Sequence, residues 1–204
     1  MLRRILVPCL IGLAMASGFI GCKGPQTLPT GTYPEPEQIK LGGADPIPML
    51  EGRYSIKPRA TYQIHAFVMS RENYRMASLG DLVPLDLALA WGQAATPEVQ
   101  QAIEVSQRNR WYFWRAKSQQ AWAGLPKDIG VSMANVHIIA ADRWIARELD
   151  AIEPGDTVEL RGKLVDIYQH GQLIRATSLT RDDQGAGACE ILLVDRVMRK
   201  RSTS

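Results

Sequence analysis

Thr157–Tyr168 is the stretch that most restricts the fold. Val158, Leu160 and Leu164 alternate with Glu159, Arg161 and Lys163. That period of two belongs to a strand with one face on a core and one toward water. Gly162 stands near its middle. A glycine inside a strand packs nothing and marks a bend or a bulge, as at a barrel corner. Glu153-Pro154-Gly155-Asp156 turns the chain in, and Gln169-His170-Gly171-Gln172 turns it out toward Leu173–Leu179. A long strand bent at its centre needs neighbours that curve with it.

Those neighbours are legible. In Ala60–Ser70, Tyr62, Ile64, Ala66 and Val68 share a face, and Phe67 and Met69 make the other face apolar at its end. Asn135–Ala140 is a short strand and Cys189–Met198 the last one. Leu79–Trp91 is dense in apolar residues (Leu82, Leu85, Leu87, Leu89, Trp91), and Pro84 bars a long helix. It reads as mixed extended chain and helical turn. Thr96–Gln107 reads as a helix, with Thr96 as cap, Pro97 at the first position, and Val99, Ala102 and Ile103 on one face. Asp142 caps a second helix running to Ile152 and burying Trp144, Ile145, Leu149 and Ile152. Lys117–Met133 and Thr180–Ala188 read as loops. The sum is an α+β domain: a small curved antiparallel β-sheet or barrel with about two short helices, preceded by a disordered tether. The helix-turn-strand run with its central glycine resembles small barrels of the OB or SH3-like kind, a likeness of fold that carries no function.

The N-terminus speaks of location. Arg3 and Arg4 precede the apolar run Ile5–Phe19, which ends at Gly21-Cys22. Charged start, apolar stretch and small residue are the parts of a secretory signal. With cysteine after the cut, Met1–Cys22 resembles a bacterial lipoprotein signal. The resemblance implies acylation of Cys22 as a membrane anchor, and Lys23, where Asp would hold the protein at the inner membrane, implies the periplasmic side of the outer membrane. Ala14-Met15-Ala16 offers a cut that would release a soluble periplasmic or secreted protein, and an uncleaved anchor is the third reading. Residues 22–53 form a Pro/Gly-rich tether, with six of the twelve prolines between Lys23 and Leu50. Residues 54–198 form one domain and 199–204 a basic, solvated tail.

Charge narrows the partners. Removing Arg3 and Arg4 from 24 basic residues leaves 22 against 21 acidic ones, so no nucleic-acid partner is expected. The membrane, through a lipid on Cys22, and an envelope protein or peptidoglycan remain. Cys189 is the one cysteine left in the domain and reads as a buried small hydrophobe.

Arg110-Trp111-Tyr112-Phe113-Trp114-Arg115 is the sharpest local feature. Aromatics on both faces of a strand, with arginine at each end, suit either a central strand packed on both faces or a platform for a sugar, a base or a peptide. On the second reading Arg110, Trp111, Tyr112, Trp114 and Arg115 bind ligand. Ser132, Asn135 and His137 are close in sequence, but no G-x-S-x-G elbow surrounds any serine, and His137 among Val136, Ile138 and Ile139 reads as a core residue. His65, His137 and His170 show no metal-ligand spacing, and no cofactor fingerprint is present. The strings Trp111–Trp114, Ser132–His137 and Gly185–Glu190 resemble those of uncharacterised exported bacterial proteins, a likeness that implies no activity. The reading is a non-catalytic, membrane-anchored envelope lipoprotein that binds a protein or envelope component. The alternative is an envelope hydrolase acting on peptidoglycan glycan or peptide.

Overall fold

The computed structural model describes residues 33–74, 79–180 and 189–201. The signal and anchor over Met1–Cys22, the first part of the tether and the polar turns at 181–188 lie outside the described residues. In chain order the strands are β1 (Glu37–Lys40), β2 (Ile47–Met49), β3 (Tyr54–Asn73), β4 (Leu85–Ala90), β5 (Ile103–Arg108), β6 (Trp111–Ala116), β7 (Met133–Ala140), β8 (Thr157–Gln169), β9 (Gln172–Arg175) and β10 (Glu190–Lys200). The α-helices are α1 (Pro97–Ala102), α2 (Gln119–Gly124) and α3 (Arg143–Asp150).

Eight strands make one strongly curved sheet in the order β1-β3-β4-β7-β10-β8-β9, with β2 added to β3. β3 also pairs with β8, so the hydrogen-bonded path returns to the strand it passed through. β3 serves both ends of that path. Its residues from Ser55 to Phe67 pair with β8, and those from Phe67 to Asn73 pair with β4. Register shifts between Pro58 and Ala60 and between Val68 and Ser70 turn it, since an extra residue bends a strand and raises its twist. Gly162 of β8 lies opposite Tyr62 on one side and Val194 on the other. A Cβ there would sit 1.8 Å from the Leu193 carbonyl oxygen, so the close approach of β10 requires glycine. The sheet departs from the antiparallel expectation at one pairing, because β7 and β10 run parallel. The chain between them, through α3 and β8, is long enough for the crossover that parallel strands need.

Inward residues of five strands build the main core: Ile64 and Val68 of β3, Leu85, Leu87 and Leu89 of β4, Val136 and Ile138 of β7, Val158, Leu160 and Leu164 of β8, and Leu192 of β10. Each such side chain contributes about 1.5–3 kcal/mol by leaving water. Leu149 and Ile152 join the same core from α3 and its exit. Asp142 caps α3 as expected, its carboxylate accepting the N–H groups of Trp144 at 2.7 Å and Ile145 at 2.9 Å. Trp144 is not buried: it is 61% exposed, held between the guanidinium groups of Arg143 and Arg147.

Four further expectations are corrected. The later part of the tether is structured, because β1 and β2 pair with the free edge of β3 and so satisfy their backbone groups. The helix over Thr96–Gln107 ends at Ala102, and Ile103, Val105 and Gln107 alternate in β5 because β6 offers a partner. Lys117–Met133 contains α2 and a single 3-10 turn at Ile129–Ser132. Arg199 belongs to β10 rather than to a frayed tail, and its guanidinium bonds the Ala151 carbonyl and Asp156.

Candidate functional site

The aromatic segment is β6, and it is not a central strand. It pairs only with β5, as a two-stranded ribbon outside the main sheet. Arg108 faces Trp111 across a two-residue turn. Asn109 and Arg110 both have left-handed backbone, at φ 54° and 69°, as the favoured hairpin turn demands. Asparagine tolerates that conformation, and arginine does so only when its surroundings compensate.

The compensation at Arg110 is extensive. Its N–H donates to the Tyr74 hydroxyl at 2.9 Å, and its carbonyl accepts from Asn135 Nδ2 at 3.1 Å. Its guanidinium donates to Asp86 Oδ1 at 2.9 Å and to the Val83 carbonyl at 2.8 Å. The same group lies 4.0 Å over the Tyr74 ring. Gln107 holds the far side of Asn135, donating to Oδ1 at 2.6 Å. The hairpin tip is thereby pinned to the outer face of β4 and β7.

Two strands present the groups beneath it. Asp86 and His137 are register partners in the β4–β7 pairing, and His137 faces Ile191 of β10 in turn. The alternation that sends Leu85, Leu87, Val136 and Ile138 inward sends Asp86 and His137 outward. Asp86 is fully buried under the tip. His137 Nδ1 lies 2.8 Å from Asp86 Oδ1, off the line of a good hydrogen bond. Neither Nδ1 nor Asp86 Oδ2 has a hydrogen-bond partner among the described residues.

A cavity of about 230 Å³ opens at this point. Leu79, Val83, Ile167 and Ile191 form its apolar walls. Tyr74, Asn109, Arg110, His137 and Arg175 supply its polar lining. Nearby, burial pushes the Cys189 thiol up to about 11, against a lowering influence from Asn135. It is a protonated thiol at neutral pH, without the thiolate character a nucleophile needs. Burial raises Tyr74 as well, and it takes Tyr112 up to about 12.

The five residues expected to bind ligand are therefore divided. Arg110 turns into the cavity. Tyr112 and Trp114 pack inward on Met133 and its neighbours. Trp111 and Arg115 point outward with Phe113, Arg115 paired to Glu104. Trp111 is 42% and Phe113 49% exposed. Trp122 of α2 stacks on Trp114, ring centroids 6.0 Å apart, and is 62% exposed. His137 is buried, yet it lines a cavity rather than the main core. Sequence reasoning passed over Asp86, Tyr74 and Arg175. The signal available for Asp86 was a lone carboxylate inside Leu85-Asp86-Leu87-Ala88-Leu89-Ala90. Tyr74 and Arg175 offered none.

Ser132 precedes β7, roughly 15 Å along extended chain from His137, so the two do not form a nucleophile and base. Among the described residues no three His, Cys, Asp or Glu side chains converge on a metal position, and no helix is long and apolar enough to cross a membrane. No protein-family model, curated protein or solved structure matches this chain.

Proposed function

We propose that this chain is a membrane-anchored envelope lipoprotein, acylated on Cys22, whose folded part is a non-catalytic module binding an envelope protein. Other envelope components, peptidoglycan among them, are the second class of partner. The folded part is a small OB-like barrel. The circuit β3-β4-β7-β10-β8, the parallel β7–β10 pair and the helix between β7 and β8 support that architecture.

One observation carries the binding role: β6 turns Trp111 and Phe113 to solvent while Tyr112 and Trp114 already anchor the ribbon. Aromatic side chains with arginine beside them are the residues that dominate protein–protein contacts. A stable fold does not need that outer face. The hydrolase reading draws on His137 beside Asp86 at a cavity. The nearby Cys189 thiol does not serve it as a nucleophile, because burial holds it protonated.

The test uses the full chain in its host envelope. Metabolic palmitate labelling reports the anchor, with label expected on the wild type and lost in Cys22→Ala. Detergent extraction and native electrophoresis report the partner, with a discrete complex expected for the wild type and dissolved by Trp111→Ala/Phe113→Ala. Label retained in Cys22→Ala contradicts the anchor. A complex indifferent to the double substitution contradicts the docking face.

A further inference from the structure

We propose that the cavity beneath the β5–β6 tip binds a small organic carboxylate with an apolar body. This site is separate from the outer face of β6, and the inference does not depend on any role for Trp111 or Phe113.

The walls set the apolar half of the ligand. Leu79 and Val83 come from the chain entering β4, Ile167 from β8 and Ile191 from β10. Four branched aliphatic side chains around one hollow offer water little and a hydrocarbon much. At about 230 Å³ the hollow lies below the ~300–1,000 Å³ of sites for drug-sized ligands, which restricts the guest to a few carbons.

The charges set the polar half. Arg110 is neutralised by Asp86, which has no exposed surface of its own. Arg175, on the β9 strand beside Ile167, has no carboxylate partner among the described residues. His137 adds an imidazole whose side chain is 10% exposed and whose buried Nδ1 lies 2.8 Å from Asp86 Oδ1, so it meets a guest through the rest of its ring. The Tyr74 hydroxyl accepts from Arg110 N, which leaves its own proton to donate. One guanidinium in excess, flanked by an imidazole and a phenol, matches a single negative charge. A phosphate dianion would want a second uncommitted cation, and an ammonium would meet Arg175 and Arg110.

The experiment titrates the mature chain with hexanoate, hexanol and hexylamine in turn, by calorimetry and by methyl NMR. Saturable hexanoate binding is expected, with the Ile167 and Ile191 methyl signals shifting and those near Trp111 and Phe113 still. Hexanol should bind at least tenfold more weakly, and hexylamine should give no saturable signal. Arg175→Gln should weaken hexanoate at least tenfold without moving Tm, because Arg175 is exposed at a sheet edge, and Arg175→Lys should restore part of the loss. Hexanol binding as well as hexanoate, shifts mapping to β6, or an Arg175→Gln variant of unchanged affinity would each overturn the proposal, as would the absence of saturable binding by hexanoate.

Discussion

Arg110 Nη1 sits 2.9 Å from Asp86 Oδ1, joining the tip of a surface hairpin to a fully buried carboxylate in β4. Asp86 has no exposed surface, and that guanidinium is the cation set against it. Removing one partner of a buried pair leaves the other uncompensated, at about 3–5 kcal/mol, whereas replacing both with apolar groups is often neutral. Arg110→Ala should therefore destabilise the chain by about 3–5 kcal/mol in urea unfolding. Arg110→Met/Asp86→Leu should cost less than Arg110→Ala alone. Equal or additive losses would show that the hairpin is held by its other contacts.

Gly162 is the second point on which the fold turns. Alanine there would drive a methyl group into the Leu193 carbonyl at 1.8 Å. The three nearest atoms are all β10 backbone, from Leu193 and Val194, so no flexible atom can yield. Gly162→Ala should cost more than about 3 kcal/mol, in the range of severe core disruptions, or should fail to fold. Gly130→Ala, which meets nothing within 4 Å, serves as the control and should stay within about 1 kcal/mol of the wild type. Paired urea titrations decide it.

Gly162 was also the most informative residue of the sequence. Its place in an alternating strand pointed to a bend or bulge, and a bulge lies opposite it in β10, between Val194 and Arg196; the close approach of β10 that requires glycine was not signalled. Asp142 likewise announced α3 and its start. Less was legible where tertiary pairing overrode local preference. Ile103, Val105 and Gln107 continue a helical-looking segment, and only the presence of β6 makes them a strand. Six prolines made the stretch before Tyr54 look like a tether, yet β1 and β2 pair with the exposed edge of β3. The aromatic run promised either a core or a platform, and the hairpin packs Tyr112 and Trp114 while it exposes Trp111 and Phe113. The cavity was least visible, because Tyr74, Arg110, His137 and Arg175 come from separate elements that meet only in the curved sheet.

His65 gives the chain a pH dependence. Burial lowers its pKa from the ordinary value of 6.5, against an opposing pull from Glu159. Its ring packs edge-on to Tyr33, centroids 4.6 Å apart. The folded state holds it neutral at a pH where the unfolded chain binds a proton. Stability from this group is thus full above the unfolded pKa and falls as pH drops from about 6.5 through the lower folded pKa. Urea midpoints should decline between pH 7.5 and pH 5. His65→Gln should flatten part of that decline, and an unchanged slope would place the dependence elsewhere.

Cys189 should behave as a shielded thiol. With its pKa pushed up to about 11 by burial, the thiolate fraction near pH 8 is far below that of a free cysteine. In a chain carrying Cys22→Ser and lacking the signal, iodoacetamide should modify Cys189 at least tenfold more slowly in the native state than in urea. The native rate should climb as pH passes 9. Equal rates in the two states would mean an open, reactive thiol and would revive a catalytic reading.

The most direct measurement of the binding role is site-specific photo-crosslinking in the living envelope. A photoreactive phenylalanine analogue at Phe113, on the outward face of β6, should give one discrete adduct, and Trp111→Ala should abolish it. The same analogue at Tyr112, one residue away and facing inward, should give no intermolecular adduct. A Phe113 position that yields none, or adducts from Tyr112 equal to those from Phe113, would contradict a docking surface on this hairpin.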